Sequence, residues 1–359
     1  MKAFHCDHCR HLVFFENTRC ISCEHVLAFL PDLMLVGSLD AAGGDTWTSP
    51  LRAAAGRTYR LCRNYLETQV CNWAVDAGDD SPLCLSCRLT IVIPDLSVPG
   101  NQAAWYRLEV AKRRLIYTLL SLGLPLDGGP NPEHPLVFQF LADGAPGSPA
   151  VLTGHSSGVI TVNIAEADDA ERERRRTALG EPYRTLLGHM RHEVGHYYWT
   201  LLIGQDDWRL TRCRELFGDD REDYAAALQR HYQAGPPPDW QDRFVSAYAS
   251  AHAWEDWAET WAHYLHMTDT LETAAACGVS LRPRRADEPS LAPVPADAVR
   301  PDGSFDRLLD SWFPITYLVN TLNRGLGMSD AYPFVLSTSA IDKLRFVHET
   351  VGRYRRSGD

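Results

Sequence analysis

No apolar run in this 359-residue sequence approaches the roughly 20 residues that a helix needs to cross a bilayer, which argues against a helical membrane protein. Basic charge is also in short supply. Lys and Arg number 35 against 46 Asp and Glu, giving a net charge of −11 and a pI near 5.7. A sequence-independent grip on nucleic acid requires a dominant basic surface, so this balance speaks against that partner. Between Met1 and Cys9 the chain carries His, Cys and Asp where a secretory leader would carry an apolar core, and the expectation is a cytoplasmic protein. With 45% hydrophobic and 23% charged residues the composition is that of a folded chain, and the length suggests two or three domains.

Cysteine is scarce after residue 90, where only Cys213 and Cys277 occur, both read as small buried hydrophobes. The other eight are clustered. Cys6-x2-Cys9 and Cys20-x2-Cys23 form two knuckles, and in a reducing compartment such pairs point to metal rather than to disulfides. Four thiolates complete a tetrahedral zinc shell, so the nearby His5, His8 and His11 are not needed as ligands. Cys84-x2-Cys87 is a third knuckle. Its expected partners, Cys62 and Cys71, are too far apart in sequence for one tight turn but can arrive from two segments. Both quartets are coordinatively closed, so their zinc ions clamp modules with little core of their own.

Beyond residue 90 the pattern changes. Ile91 to Pro99 reads as an extended link, and apolar residues at helical spacing predict a helix from Ala103 to Leu122. A Pro/Gly stretch from Pro125 to Pro135 ends it. Strands are expected at Leu136–Leu141 and Val151–Ile164, the second interrupted by a turn at Gly154–Gly158. The charge run Glu171–Arg176 reads as a solvated face in preference to a contact for an acidic substrate. Helices are expected at Tyr183–Ile203, Asp219–Tyr232 and Asp239–Asp269, and the Pro/Ala-rich residues 283–303 as a surface loop or linker.

The chemistry concentrates in two of these helices. His192-Glu193-Val194-Gly195-His196 places two imidazoles one turn apart on one helix face, able to reach a single zinc ion. Glu193 beside them can take a proton from water activated there. Gly195 leaves room for a neighbouring element to approach. Two histidines need a third protein ligand, and the metzincin pattern is excluded because Trp199 and Leu202 occupy the places of its glycine and histidine. A later helix can supply a carboxylate instead. His252, Glu255, Asp256, Glu259, His263 and His266 fall within an arc of roughly 80–100° at 100° per residue, while most other positions are apolar. Such a titratable stripe on a largely buried helix demands partners, which a metal site would provide. Glu255 and Glu259 are both candidates for the third ligand.

The pair of motifs His192-Glu193-x-x-His196 and Glu255-x-x-Ala258-Glu259 resembles the gluzincin arrangement of zinc peptidases. That resemblance implies Glu255 as zinc ligand and Glu259 as the acid that orients a ligand histidine. Trp254 stands where gluzincins often have Asn, and an exchange of roles between the two glutamates stays open. The chain as a whole is similar to a bacterial family of zinc-binding metallopeptidases with an N-terminal zinc ribbon. The similarity rests on the first cysteine quartet, Cys71-Asn72-Trp73, Cys84-x-x-Cys87-Arg88-Leu89-Thr90 and Ile93-Pro94-Asp95-Leu96. It continues through Arg191-His192-Glu193-x-Gly195-His196-Tyr197-Tyr198-Trp199, Phe217-Gly218-Asp219, Trp254 to Glu259, Trp312-Phe313-Pro314 and Tyr332-Pro333-Phe334.

The resulting expectation is an α+β chain, with zinc-ribbon modules at 1–34 and 35–98 and a mainly α-helical zincin-like metallopeptidase domain with a small β-sheet at 99–359. Three zinc ions are expected: one catalytic, on His192, His196 and Glu255, and two structural, on Cys6/Cys9/Cys20/Cys23 and Cys62/Cys71/Cys84/Cys87. The reaction implied is hydrolysis of a peptide or isopeptide bond, with Glu193 as general base and Tyr317, Tyr264, His263 or Arg191 as candidate oxyanion donors. By analogy with zincins, the Val151–Ile164 strands would pair with an extended substrate. The competing reading is a protein-binding zinc-ribbon module whose HExxH domain is inactive. The retained Glu193 weighs against it, since a structural site has no use for a base.

Overall fold

Short strands separated by knuckles and turns fill the first ninety residues, where no periodicity long enough for a stable helix exists. The computed structural model describes residues 1–129, 132–144, 151–179, 183–281 and 303–358. The Pro/Ala-rich loop expected at 283–303 therefore lies outside the described residues apart from its last position. The described chain forms two compact units, one from 1–117, 137–154 and 161–172, the other from 118–136, 155–160 and 173–359. The architecture is α+β: a β-rich region with two four-cysteine clusters, then a mainly helical region with a small mixed sheet.

β1 (Phe4–His5) and β2 (Leu12–Val13) pair across the first knuckle. β3 (Val26–Leu30), β4 (Leu35–Gly43), β5 (Thr46–Thr48), β6 (Tyr59–Leu61) and β7 (Ala74–Asp76) form an antiparallel sheet in sequential order. β3 pairs with β4 along its whole length, so this sheet runs without interruption across residue 34. A bridge between Phe29 and Trp73 ties β3 back towards β7. Behind it Phe15, Phe29 and Trp73 pack with ring centroids 4.6–6.4 Å apart, the aromatic core of this small module.

Between β6 and β7 lies the one-turn helix α1 (Arg63–Leu66), and after β7 comes the equally short α2 (Leu85–Arg88). β8 (Thr90–Val92) leads through α3 (Asn101–Ser121) to β9 (Val137–Leu141), which pairs with it in parallel. A parallel pair needs a crossover of this length, and a helix usually supplies it. β10 (Gly154–Ser156) and β11 (Val159–Asn163) complete the sheet order β10-β11-β9-β8. The turn between them narrows to Ser157-Gly158, both at positive φ (48° and 85°). Gly158 is required there, because a Cβ would lie 2.7 Å from the Pro135 carbonyl oxygen.

The helical part comprises α4 (Asp169–Leu179), α5 (Leu186–Leu202), α6 (Asp207–Phe217), α7 (Tyr224–Ala234), α8 (Trp240–Arg243), α9 (Ala253–Ala276), α10 (Phe305–Gly325) and α11 (Thr338–Gly358). The charge run at 171–176 lies on α4. The helix expected at Asp219–Tyr232 starts only at Tyr224, capped by the Asp223 side chain. The one expected at Asp239–Asp269 is broken: after α8 the chain runs extended at Phe244, makes a 3-10 turn at Tyr248–Ala251 and restarts at Ala253. Among the described residues no helix is long and apolar enough to cross a membrane.

α5 and α9 lie unusually close. A Cβ on Gly195 would stand 2.9 Å from the Ala258 Cα, and the Trp257 indole donates to the Gly195 carbonyl at 2.8 Å. Tyr198 stacks on Trp261 at 4.9 Å one turn further along. The missing side chain at Gly195 is what brings the backbone of one helix against the other, and with it the residues on either side.

Candidate metal centre

α5 begins at Thr185, whose side chain accepts from the Gly188 amide, and carries His192 and His196 through its buried middle. α9 begins at His252, whose Nδ1 accepts from the Trp254 amide while Nε2 donates to the Glu222 carbonyl. His252 is thus a helix cap rather than a member of the site. Glu255 sits in the first turn of α9, where the helix dipole favours negative charge. It meets both histidines: its two oxygens lie 3.0 Å from His192 Nε2 and 3.5 Å from His196 Nε2. One donor atom from each of these three residues lies within 4.8 Å of the others. A tetrahedral ion with ligand bonds of about 2.0–2.1 Å separates its donors by about 3.3–3.4 Å, so this set suits zinc.

Glu259 takes a different place. Its Oε1 accepts from His192 Nδ1 at 2.7 Å, and its Oε2 accepts from the Ser246 hydroxyl at 2.6 Å. With Nδ1 carrying the proton, Nε2 turns its lone pair towards Glu255. Tyr224 donates to Glu255 Oε1 at 2.6 Å. The Tyr248 ring lies 6.0 Å from that of His192, and Trp254 packs 4.2 Å from His196. His155, on β10, approaches His196 and Trp254 at 6.3 and 6.4 Å.

The electrostatics favour a positive charge at this point. Burial works against the His192 imidazolium, yet Glu255 and Glu259 outweigh it and hold the group well above its ordinary pKa. Burial likewise opposes the Glu255 carboxylate, but His192, His196 and Tyr224 bring it down to about 2. His196 has a less complete set of partners and burial pulls it down to about 3. Glu193 is raised to about 7, chiefly by burial, with His192 opposing and the charges of Glu255 and Glu259 adding.

Asp256, His263, Arg191 and Tyr264 have partners of their own. Asp256 pairs with Lys343 at 2.6 Å, His263 with the Tyr332 hydroxyl at 2.7 Å, and Arg191 with Asp269. Tyr264 meets His348 at 3.1 Å, and Tyr317 stands 65% exposed on α10. Sequence reasoning passed over Tyr224, Ser246, Tyr248 and His155. They come from three separate segments, and no spacing rule links them to the HExxH helix.

The cysteine quartets are as regular. Cys6 and Cys23 sulfurs stand 3.6 Å apart, Cys9 and Cys20 3.6 Å, and Cys71 and Cys84 3.7 Å. Zinc–sulfur bonds of about 2.3 Å put tetrahedral ligands about 3.8 Å apart, so both quartets suit structural zinc. The wide Cys62–Cys71 spacing is explained by strand pairing. Cys62 follows β6 and Cys71 precedes β7, and the β6–β7 ladder, with α1 in its loop, brings them together. Backbone amides of Trp73, Cys84 and Cys87 point at sulfurs of this quartet at 3.3–3.4 Å, as thiolates require.

A HExxH helix packed against a second helix that returns a glutamate to both histidines defines a metallopeptidase-type centre. Comparison with known proteins makes the family explicit. Residues 101–350 match the family described as "Putative zinc-binding metallo-peptidase", and residues 3–98 match a zinc-ribbon domain. The chain belongs to that metallo-peptidase family. Uncharacterized proteins of Mycobacterium bovis and Mycobacterium tuberculosis are 43% identical to it over 352 residues, covering 98% of this chain and 95% of theirs. No solved structure matches it.

Proposed function

We propose that this protein is a zinc-dependent peptidase that hydrolyses a peptide or isopeptide bond in a peptide or protein substrate. The observation that carries the reading is the convergence of His192, His196 and Glu255, with Glu193 one residue from the first histidine on the same helix. His192, His196 and Glu255 would hold the ion, which when bound lowers the pKa of water and polarises a carbonyl. Glu193 takes the proton from the attacking water and returns it to the leaving amine, the role of a general base that becomes a general acid. Glu259 and Ser246 fix the His192 ring, and Tyr224 fixes the Glu255 carboxylate. Among the described residues β10 is the last strand of its sheet and carries His155 beside His196, so its outer edge would offer an extended peptide main-chain pairing.

The test is Glu193→Gln, assayed on a mixed peptide library by mass spectrometry alongside zinc content. The variant is expected to keep its zinc and to lose cleavage by at least a hundredfold, in line with general-base contributions of about 10²–10⁴. Cleavage at wild-type rate in the variant would remove Glu193 from the mechanism.

A further inference from the structure

We propose that Tyr248 is a catalytic residue of this centre: its hydroxyl donates a hydrogen bond to the scissile carbonyl oxygen as negative charge develops there. The inference rests on the peptidase reading above and adds a group that neither α5 nor α9 supplies. Amide hydrolysis calls for such a donor. When the water oxygen adds to the carbonyl carbon, the π pair moves onto the carbonyl oxygen and Glu193 takes the water proton. Tyr248 keeps its own proton throughout and shares it with that oxygen. Collapse restores the C=O bond, and the amine leaves with the proton from Glu193.

The other donors near the centre are already spent. Tyr224 donates to Glu255 and Ser246 to Glu259, each at 2.6 Å, while Arg191, His263 and Tyr264 are bonded to Asp269, Tyr332 and His348. The Tyr248 hydroxyl forms no hydrogen bond with any of the described residues, although its ring is half-buried. A tyrosine so placed ordinarily gives its hydroxyl a partner. The ring stands 6.0 Å from that of His192, and Glu255 is the carboxylate whose charge bears most on its hydroxyl, ahead of Glu259. The backbone that carries it is anchored. Val245 and Ala249 are buried with Ala340, the Ala249 amide donates to Ser246 Oγ at 3.1 Å, and Ser246 holds Glu259. Tyr248 is therefore positioned through the same Ser246–Glu259 contact that fixes the His192 ring, and a donor held in this way needs little reorganisation to act.

The test is Tyr248→Phe, which keeps the ring and removes only the hydroxyl. Zinc-loaded full-length protein is assayed for kcat and KM on the peptide that wild type cleaves fastest from a mixed library, for metal content, and for acetohydroxamate binding by calorimetry. Acetohydroxamate presents the centre with the kind of anionic oxygen that the carbonyl becomes. The variant is expected to lose about 10²–10³-fold in kcat, with KM changed by less than about twofold. It keeps its zinc and its melting temperature, since no hydrogen bond of the folded chain is lost, and it binds acetohydroxamate about tenfold more weakly. Tyr232→Phe, which removes an exposed hydroxyl nearby, changes none of these. Wild-type kcat in Tyr248→Phe overturns the proposal. So does a loss of activity that comes with loss of zinc, because the residue then serves only to support His192. If wild type cleaves nothing in the library, it is the peptidase reading that fails, and acetohydroxamate decides for Tyr248: equal affinity in the two proteins, or none in wild type, overturns its role as donor.

Discussion

Glu259 touches no ion donor of the candidate centre except through His192, and yet it decides which nitrogen of that ring is available. It holds Nδ1 at 2.7 Å while Ser246 holds its other oxygen. Glu259→Ala is therefore expected to weaken zinc binding at this centre by about 10–100-fold and to leave the cysteine-bound zinc in place. A chelator-competition titration with metal counts measures both. His263, one turn further along α9, has a different role. Burial, helped by Arg191 and resisted by Glu259, pushes its pKa from 6.5 down to about 4. The folded chain thus keeps it neutral where the unfolded chain protonates it. Its contribution is complete above pH 6.5 and is lost as pH falls towards 4, at up to about 1.4 kcal/mol per pH unit. Glu193 and Asp256, both raised to about 7 chiefly by burial, act in the opposite direction, so the variant-to-wild-type difference is the quantity to read. Urea unfolding of His263→Asn between pH 6.5 and 4.5 is expected to show a loss of stability shallower than that of wild type by up to one proton.

The pairing of α5 with α9 carries the centre, and Gly195 is its narrowest point. Gly195→Ala would drive a methyl group to 2.9 Å from the Ala258 Cα, a backbone atom that cannot swing aside. The expected cost is about 1–3 kcal/mol, with a weakened His192/His196/Glu255 centre. Ala258→Gly in the same chain is expected not to restore stability, because the clash is with backbone; thermal melts of the single and double variants check this. Both helices were legible in the sequence, one from its apolar spacing around HExxH and the other from the width of its apolar face. The break between α8 and α9 was not, since residues 244–252 contain neither Pro nor Gly. Its reason is tertiary: that segment delivers Ser246 to Glu259 and Tyr248 to His192, which a continuous helix would not. The antiparallel sheet of residues 26–76 was equally silent, because its strands are short and β3 is buried almost throughout instead of alternating.

For the whole chain, the metal complement gives the most direct reading of its organisation. Cys62→Ser is expected to lower the tightly bound zinc from three ions to two and to raise hydrogen exchange around β6, β7 and α2, which the second quartet joins. A count still at three would show that the thiol at residue 62 is not a ligand. The cysteine and histidine motifs made the donor sets readable from spacing, because local geometry dictates that spacing. The partners of the buried stripe were unreadable for the opposite reason: Lys343, Tyr332 and His348 lie 69 to 87 residues away from Asp256, His263 and Tyr264. Trp254 gives the chain a built-in optical reporter. Its indole lies 4.2 Å from the ring of His196, so any change in that imidazole's charge or bonding alters the quenching of a single emitter. The difference in fluorescence between wild type and Trp254→Phe then follows loading of the centre in real time, with no label and no substrate.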